Sequence, residues 1–168
     1  MTIHSEHPFA DPASARDAVR SFRGRLPAGV TLWTAAAPRR PVGLTVSSVL
    51  VANGEPARLL ALLDPLADLT EALLASGIAA VTLLSRDQRR LAEVFAGQLP
   101  APGAEFEGFT ESGYGPVPPS ASAWAGVRLE SHAPMGWSLL ATCVIEHLEF
   151  GAETAPLLHY RGGYPRLA

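Results

Sequence analysis

Several residue types are scarce in this sequence, and each shortage excludes a class of function. Lysine is absent, and thirteen arginines face sixteen acidic residues, so the formal net charge of −3 lacks the basic surplus of a nucleic-acid-binding protein. Cys143 is the single cysteine, which leaves no internal disulfide and no thiolate metal cluster. No apolar run is long enough to cross a bilayer, and residues 1–12 lack the pattern of a secretion signal. We therefore expect a soluble, cytoplasmic protein that binds neither nucleic acid nor membrane.

Common catalytic patterns are missing as well. The sequence has no Gly-x-Gly-x-x-Gly motif at a helix start and no Gly-x-Ser-x-Gly elbow. His4 and His7 share the N-terminal arm, and the other three histidines lie on separate predicted elements without Cys or Glu at ligand spacing, so we expect no metal site. Cys143 lies inside an apolar run, which is typical of an inert buried thiol. A chain with no evident catalytic side chains either performs no chemistry or relies on a cofactor.

Charge is scarce overall, and this predicts self-association. Charged residues make up 17% of the 168 residues, whereas apolar residues make up 48%. A single domain of this size has enough apolar residues for a substantial core, but its polar surface would be thin. We expect a partner to cover part of that surface, most simply in a homodimer with two-fold symmetry.

Local patterns divide the chain into a flexible polar arm over residues 1–13 and one domain over residues 14–168. Ser14 is expected to cap a helix that runs to about Arg25, and Asp68 and Ser85 are expected to cap two short helices. Residues 98–122 are rich in Pro and Gly and predict a long loop that covers a site or a dimer contact. The predicted strands are 30–37, 42–52, 59–63, 78–84, 124–131, 137–150 and 156–160.

The order of these elements predicts a mainly β fold. Six to seven mostly antiparallel strands, interrupted by two or three short helices, fit a small closed or nearly closed β-barrel. A doubly wound parallel sheet fits poorly because helices do not alternate with strands.

One stretch, Gly43-Leu44-Thr45-Val46-Ser47-Ser48, is the best candidate for ligand binding. In an extended strand its side chains alternate, which places Thr45 and Ser47 on one face. Two hydroxyls beside a glycine could hydrogen-bond a flat polar heterocycle or a phosphate. The same pattern also fits a strand face that is simply half-solvated.

Four segments, taken in order, resemble the short-chain flavin reductase family, whose FMN-binding domain is a split barrel. They are residues 22–34, 43–48, 83–97 and 156–164, and the resemblance extends over residues 16 to 167. The resemblance implies NAD(P)H-dependent reduction of FMN or FAD by a homodimer. It also implies a role as the reductase component of a two-component monooxygenase. Such a component passes reduced flavin to a separate oxygenase by diffusion.

The resemblance also assigns residues to the flavin and nicotinamide sites, although none to catalysis. The flavin ring and ribityl chain would lie along residues 45–48, the phosphate near residues 64–69, and the other flavin edge along residues 82–85. Trp137 would lie near the nicotinamide, and Arg161 would contact a pyrophosphate or the flavin, or would only pair across a dimer interface. Because Ser85 opens a predicted helix, its backbone N–H groups are also expected to form an anion site. The residues at the flavin are Thr45, Val46, Ser47, Ser48, Asp64, Thr82, Leu83, Leu84 and Ser85.

Two features favour a different function for the same fold. Asp64 and Asp68 would repel a phosphate dianion if both faced it. Trp137 stands where family members commonly carry a histidine, and an indole cannot accept a hydrogen bond. The alternative is a split-barrel protein that binds flavin or haem and has lost the reductase activity.

Overall fold

The computed structural model describes residues 13–167. The predicted flexible arm therefore lies outside the described residues, except for Ala13, which begins the first helix. The helices are α1 (Ala13–Gly24), α2 (Asp68–Ser76) and α3 (Arg89–Phe95), and a 3-10 turn at Arg86–Gln88 leads into α3. The strands are β1 (Ala28–Gly29), β2 (Thr31–Ala35), β3 (Val42–Val46), β4 (Val49–Ala52), β5 (Arg58–Leu63), β6 (Ile78–Leu83), β7 (Thr110–Glu111), β8 (Pro116–Val117), β9 (Ala123–Met135), β10 (Ser138–Phe150) and β11 (Leu158–His159).

Seven of the described strands form one antiparallel sheet in the order β3-β2-β6-β9-β10-β5-β4. The long β9–β10 hairpin joins its two halves, because β6 pairs with the first part of β9 whereas β5 pairs with the first part of β10. The edge strands β3 and β4 are separated by only Ser47 and Ser48, so the sheet curls until its ends meet. The Leu62 N–H donates to the Ser48 carbonyl at 3.1 Å and extends the pairing of β4 with β5. The prediction of a mainly β fold with six to seven antiparallel strands and short helices is confirmed.

The interior of the curled sheet is filled by one apolar cluster, and α2 closes it. Leu69 and Leu73 on α2 are fully buried against Trp33 and the inward residues of the strands. The helix ends at Gly77, whose positive φ of 76° suits glycine, as predicted. The prediction for its start is wrong, because Ala67 occupies the N-cap position and Asp68 is the first helical residue. The Asp64 carboxylate instead accepts a hydrogen bond from the Leu66 N–H at 2.9 Å.

The segment 98–122 covers the outer face of β2 and β6. It is less irregular than predicted, since β7 and β8 pair within it. The Thr34 hydroxyl donates to the Pro116 carbonyl at 2.6 Å, and the Tyr114 ring lies directly over Gly126. A Cβ added at Gly126 would come 2.5 Å from that ring, so the close approach requires glycine.

Other boundaries also differ from prediction: β9 extends to Met135 rather than ending at 131, and β11 is limited to Leu158–His159. The predicted strand 42–52 is interrupted at Ser47 and Ser48, which separate β3 from β4. The first helix begins at Ala13, one residue before Ser14. Among the residues that the structure describes, no helix combines the length and the apolar character needed to span a membrane.

Candidate functional site

The first residue of β2 brings two of the predicted ligand-binding segments together. Thr31 pairs with Val46 on one side and with Leu83 on the other. Its hydroxyl donates to the Val46 carbonyl at 2.7 Å and accepts a hydrogen bond from the Trp33 indole N–H at 3.2 Å. Residues 46–48 and 83–85 therefore flank one end of the barrel, although they are far apart in sequence.

The two serines between β3 and β4 have different environments. The Ser48 hydroxyl donates to the Leu62 carbonyl at 2.7 Å, which holds the connection between β3 and β4 against β5. Ser47 is half-buried, and its hydroxyl makes no hydrogen bond to another described residue. Ser47 is thus the serine here with a side chain available to a ligand.

Thr45 faces α3. Its hydroxyl donates to the Ala92 carbonyl at 2.7 Å, and the neighbouring Gly43 packs against the Phe95 ring. A Cβ at Gly43 would lie 2.6 Å from that ring, so Gly43 serves helix packing here. The Thr45 hydroxyl is thus committed within the protein, and its contact with a ligand remains a prediction.

The end of β6 presents one side chain to the open end of the barrel. Leu83 is half-exposed and lies on the same strand face as Val81, which belongs to the barrel core. Thr82 and Leu84 point to the opposite face, where both are buried. The Thr82 hydroxyl has no hydrogen-bond partner among the described residues. A ligand at the open end would therefore meet the side chain of Leu83 but only the backbone of its two neighbours.

The helix start at Ser85 does not form the expected anion site. The Ser85 N–H donates to the Gln88 side-chain oxygen at 2.9 Å, and the Gln88 N–H donates to the Ser85 carbonyl at 3.0 Å. The Arg86 N–H donates to the Ala155 carbonyl at 2.9 Å. These donors are already used, so the prediction of a free set of N–H groups at this position is wrong.

Asp64 and Trp137 lie near the same end of β5. Asp64 directly follows β5 and is exposed. Leu139 pairs with Leu63, so the tip of the β9–β10 hairpin lies beside the point where Asp64 leaves the sheet. Trp137 is at that tip and is exposed. Since Ser48 is bonded to Leu62, this region continues the edge formed by residues 46–48.

Arg161 lies in the turn that follows β11. It is in a tight turn with a positive φ of 50°, and its N–H donates to the Gly24 carbonyl at the end of α1. Its guanidinium is 5.4 Å from the centre of the Tyr160 ring. The structure thus brings together residues 46–48, 83–85, 64 and 137, and it places Arg161 at the C-terminal end of α1.

Sequence reasoning missed two parts of this arrangement. Thr31 could have been found by counting back from the Pro38–Pro41 hairpin turn, because the register places it opposite Val46. The segment at Ala155 and Pro156, which bonds to Arg86 and bridges to Ser85, left no comparable signal because the contact is distant in sequence.

Titratable groups with shifted pKa values lie elsewhere. The Arg58 guanidinium hydrogen-bonds Glu130 and lowers the pKa of that carboxyl, and Arg128 does the same to Glu146. Burial raises the pKa of the Cys143 thiol to about 12, so it stays protonated. Among the described residues, no group of three or more His, Cys, Asp or Glu side chains could hold a metal ion. The open edge therefore has the means to bind and orient a ligand, but no acid–base pair.

The edge is an open surface in a single chain. A groove of about 540 Å³ lies beside Tyr114, Trp124 and His147, and a second of about 460 Å³ lies between α3 and the 98–122 segment. Neither groove is lined by Ser47, Asp64 or Leu83. The candidate site would become enclosed if another chain covered it.

Comparison with known proteins gives a consistent result over most of the chain. Residues 23–168 match the family model described as "Flavin reductase like domain". The reductase component of 4-hydroxyphenylacetate 3-monooxygenase from Thermus thermophilus is 28% identical over 154 residues, which cover 90% of this chain and 97% of that protein. The solved structure of flavin reductase PheA2 matches with a TM-score of 0.82 at 28% identity, covering 90% of this chain and 97% of that one. This match supports the predicted split barrel.

Another solved structure shares the fold at lower identity. The NADH:FAD oxidoreductase SgcE6 from Streptomyces globisporus matches with a TM-score of 0.82 at 22% identity, covering 97% of this chain and 99% of that one.

Proposed function

The chain belongs to the flavin reductase like domain family, and from this premise we propose how its open barrel edge supports flavin reduction. The protein is a flavin reductase, an NAD(P)H:flavin oxidoreductase. The observation that supports the location of its site is the position of Thr31, which is paired with both Val46 and Leu83. Two segments that resemble flavin-binding segments of the family thus flank one residue at one end of the barrel.

The residues at this edge fit a flavin ring system. Isoalloxazine has flat apolar faces and a polar edge, and it needs an apolar surface beside hydrogen-bonding groups. Leu83 offers a half-exposed apolar side chain, and Ser47 offers a hydroxyl with no partner among the described residues. The backbone between Val46 and Ser48 is outside the regular strands, so its polar groups can also face a ligand.

A bound flavin supplies the redox chemistry by accepting hydride from a nicotinamide. The chain's own residues bind and orient the reactants. Residues 46–48 and 83–84 contain no titratable side chain, so this edge is suited to positioning rather than proton transfer. Closeness and orientation of two stacked rings can account for a large part of such a rate.

Several finer properties belong to this proposal. The flavin is FMN or FAD, and the reductant is NADH or NADPH. The protein works as a homodimer in the cytoplasm, where reduced nicotinamides are available. It acts as the reductase component of a two-component monooxygenase and releases reduced flavin to a separate oxygenase. The 28% identity to a monooxygenase reductase component supports this last point.

The test is a spectrum of the purified protein followed by NADH and NADPH oxidation assays with added FMN, FAD or riboflavin. We expect nicotinamide oxidation that depends on added flavin. A Leu83→Arg variant should lose flavin binding, whereas Leu148→Arg should not, because Leu148 has a matched exposure (54% against 51%) and lies outside the site. Flavin binding without nicotinamide oxidation would instead identify a binding protein that has lost the reductase activity.

A further inference from the structure

Helix α1 has an apolar face that the described part of the chain leaves uncovered. Val19 and Phe22 on α1 and Leu26, in the turn that follows the helix, form one stripe at helical spacing, and all three are more than half exposed. Arg20 and Arg23 flank the stripe, and neither forms an ion pair with a carboxylate within residues 13–167. Such a helix is suited to a partner surface that is both apolar and acidic.

The start of α2 and the loop before it form a surface of that kind. Asp64, Asp68 and Glu71 are exposed, and none forms an ion pair with a cation of the described residues. Residues 64–77 contain no basic side chain. Two exposed leucines lie among these acids. We call this surface the acidic α2 face; its residues are Asp64, Leu66, Asp68, Glu71 and Leu74.

The two surfaces do not meet within one chain. Phe22 is 69% exposed and Leu66 is 72% exposed, so neither side chain covers the other. We propose that α1 of one copy packs on the acidic α2 face of a second copy, and that two such contacts form the dimer. The proposal rests on the homodimer suggested above, but it does not depend on the flavin chemistry. Apolar contact and opposite charge then act at the same place, and this combination determines the orientation of the partner.

This arrangement has a consequence for the candidate site. Asp64 directly follows β5, beside the edge where Ser48 is bonded to Leu62. A partner α1 on this surface would place Arg20 and Arg23 beside three uncompensated carboxylates. The negative charge next to the site would fall, and an anionic ligand such as a flavin phosphate would be repelled less. The site of one copy is therefore completed by the helix of the other.

Disulfide trapping between two variants that each carry one added cysteine tests the contact. Phe22→Cys and Leu66→Cys proteins, made separately and then mixed under conditions that allow exchange, should form a disulfide-linked dimer on mild oxidation. The native Cys143 is buried and does not compete. Leu50→Cys is the matched control, because Leu50 is as exposed as Leu66 (72% each) and lies on β4, outside the acidic α2 face. It should not link to Phe22→Cys.

Charge reversal gives an independent test by analytical ultracentrifugation. Arg20→Glu with Arg23→Glu should weaken the dimer by roughly tenfold or more, and adding Asp68→Arg with Glu71→Arg should restore it. If the protein is a dimer but shows neither the disulfide nor the charge effect, the proposed contact is wrong and the homodimer forms through another surface. A protein that is monomeric at all concentrations overturns both. A disulfide within one chain carrying both cysteines would mean that α1 packs in cis, which also overturns the contact. Flavin-dependent NADH oxidation by the unaltered protein is measured separately, so failure of this contact and failure of the proposed function are distinguishable.

Discussion

Two buried threonines on neighbouring strands differ in whether their hydroxyls have a partner. The Thr34 hydroxyl donates to the Pro116 carbonyl, whereas the Thr82 hydroxyl is buried without a partner among the described residues. Replacing an unpaired buried hydroxyl by a methyl group removes a desolvation cost, so Thr82→Val should be neutral or stabilising by about 1 kcal/mol. Thr34→Val should lower the free energy of unfolding by about 1–2 kcal/mol because it breaks a bond. Urea unfolding of both variants measures the contrast.

The same Thr82 variant also tests a predicted ligand contact. Its side chain points away from the open end of the barrel, so flavin affinity should be unchanged in Thr82→Val. A marked loss of affinity would show that Thr82 contacts the flavin directly and that the edge described above is misplaced.

Thr31 connects the two halves of the candidate site. Thr31→Val removes the bond to the Val46 carbonyl and leaves the Trp33 indole N–H buried without its acceptor. We expect a loss of about 2–3 kcal/mol in stability from these two effects, together with weaker flavin binding because the end of β3 is no longer held. Thr31→Ser keeps the hydroxyl and should retain most of both properties. A larger loss in Thr31→Ser than in Thr31→Val would show that the methyl group, and not the hydroxyl, is what matters.

Cys143 gives a prediction about pH. Burial raises its pKa from 9.0 to about 12, so between these values the folded protein keeps a proton that the unfolded chain releases. Unfolding is therefore favoured as the pH rises, and the free energy of unfolding should fall above pH 9. Cys143→Ala removes this contribution. The stability difference between the two proteins should narrow between pH 9 and the highest pH at which both still fold, and a constant difference would contradict the prediction.

At the scale of whole elements, the position of the 98–122 segment depends on close backbone contact. A Cβ at Gly115 would lie 2.5 Å from the Thr34 carbonyl oxygen, where β8 crosses β2. Gly115→Ala should therefore push this segment off the sheet and destabilise the protein by about 2–4 kcal/mol. Gly113→Ala is a suitable control, because Gly113 also has a positive φ but has nothing within 4 Å of its added Cβ. Thermal unfolding of both variants separates the clash from backbone strain alone.

Most elements could be predicted because their signals are local. Short apolar or β-rich runs marked the strands, and Gly77 marked the end of α2. The break at Ser47 and Ser48 was missed because neither residue is a strong strand breaker. The prediction of Asp68 as the cap was wrong because the extended Ala67 is the N-cap and Asp68 already lies in the first turn of the helix. The anion site at Ser85 failed for a reason no local pattern reveals, since Ala155 uses the Arg86 N–H.

At the scale of the whole molecule, the candidate site depends on pairings between distant segments. The sequence indicated residues 45–48 and 82–85, and the register around Thr31 brings the ends of both to one edge. The direction in which individual side chains point was harder to predict from the sequence. Thr45 and Thr82 carry hydroxyls in these segments. The Thr45 hydroxyl donates to the Ala92 carbonyl on α3, and the Thr82 side chain is buried on the face of β6 that points away from the open end. Such orientations depend on which face each neighbouring element covers, and that is a property of the assembled fold.

Binding at a single edge also predicts how the whole protein responds to ligand. A ligand that binds only the folded state adds about 2.7 kcal/mol at a concentration 100 times its Kd. For a chain of 168 residues this should raise the melting temperature by roughly 5–10 °C. Calorimetry with FMN, FAD and riboflavin, each at that multiple of its own Kd, should give this shift for every flavin that binds. Leu148→Arg should keep the shift and Leu83→Arg should lose it, because only Leu83 lies at the barrel end beside Thr31; the same shift in both variants would place the flavin elsewhere.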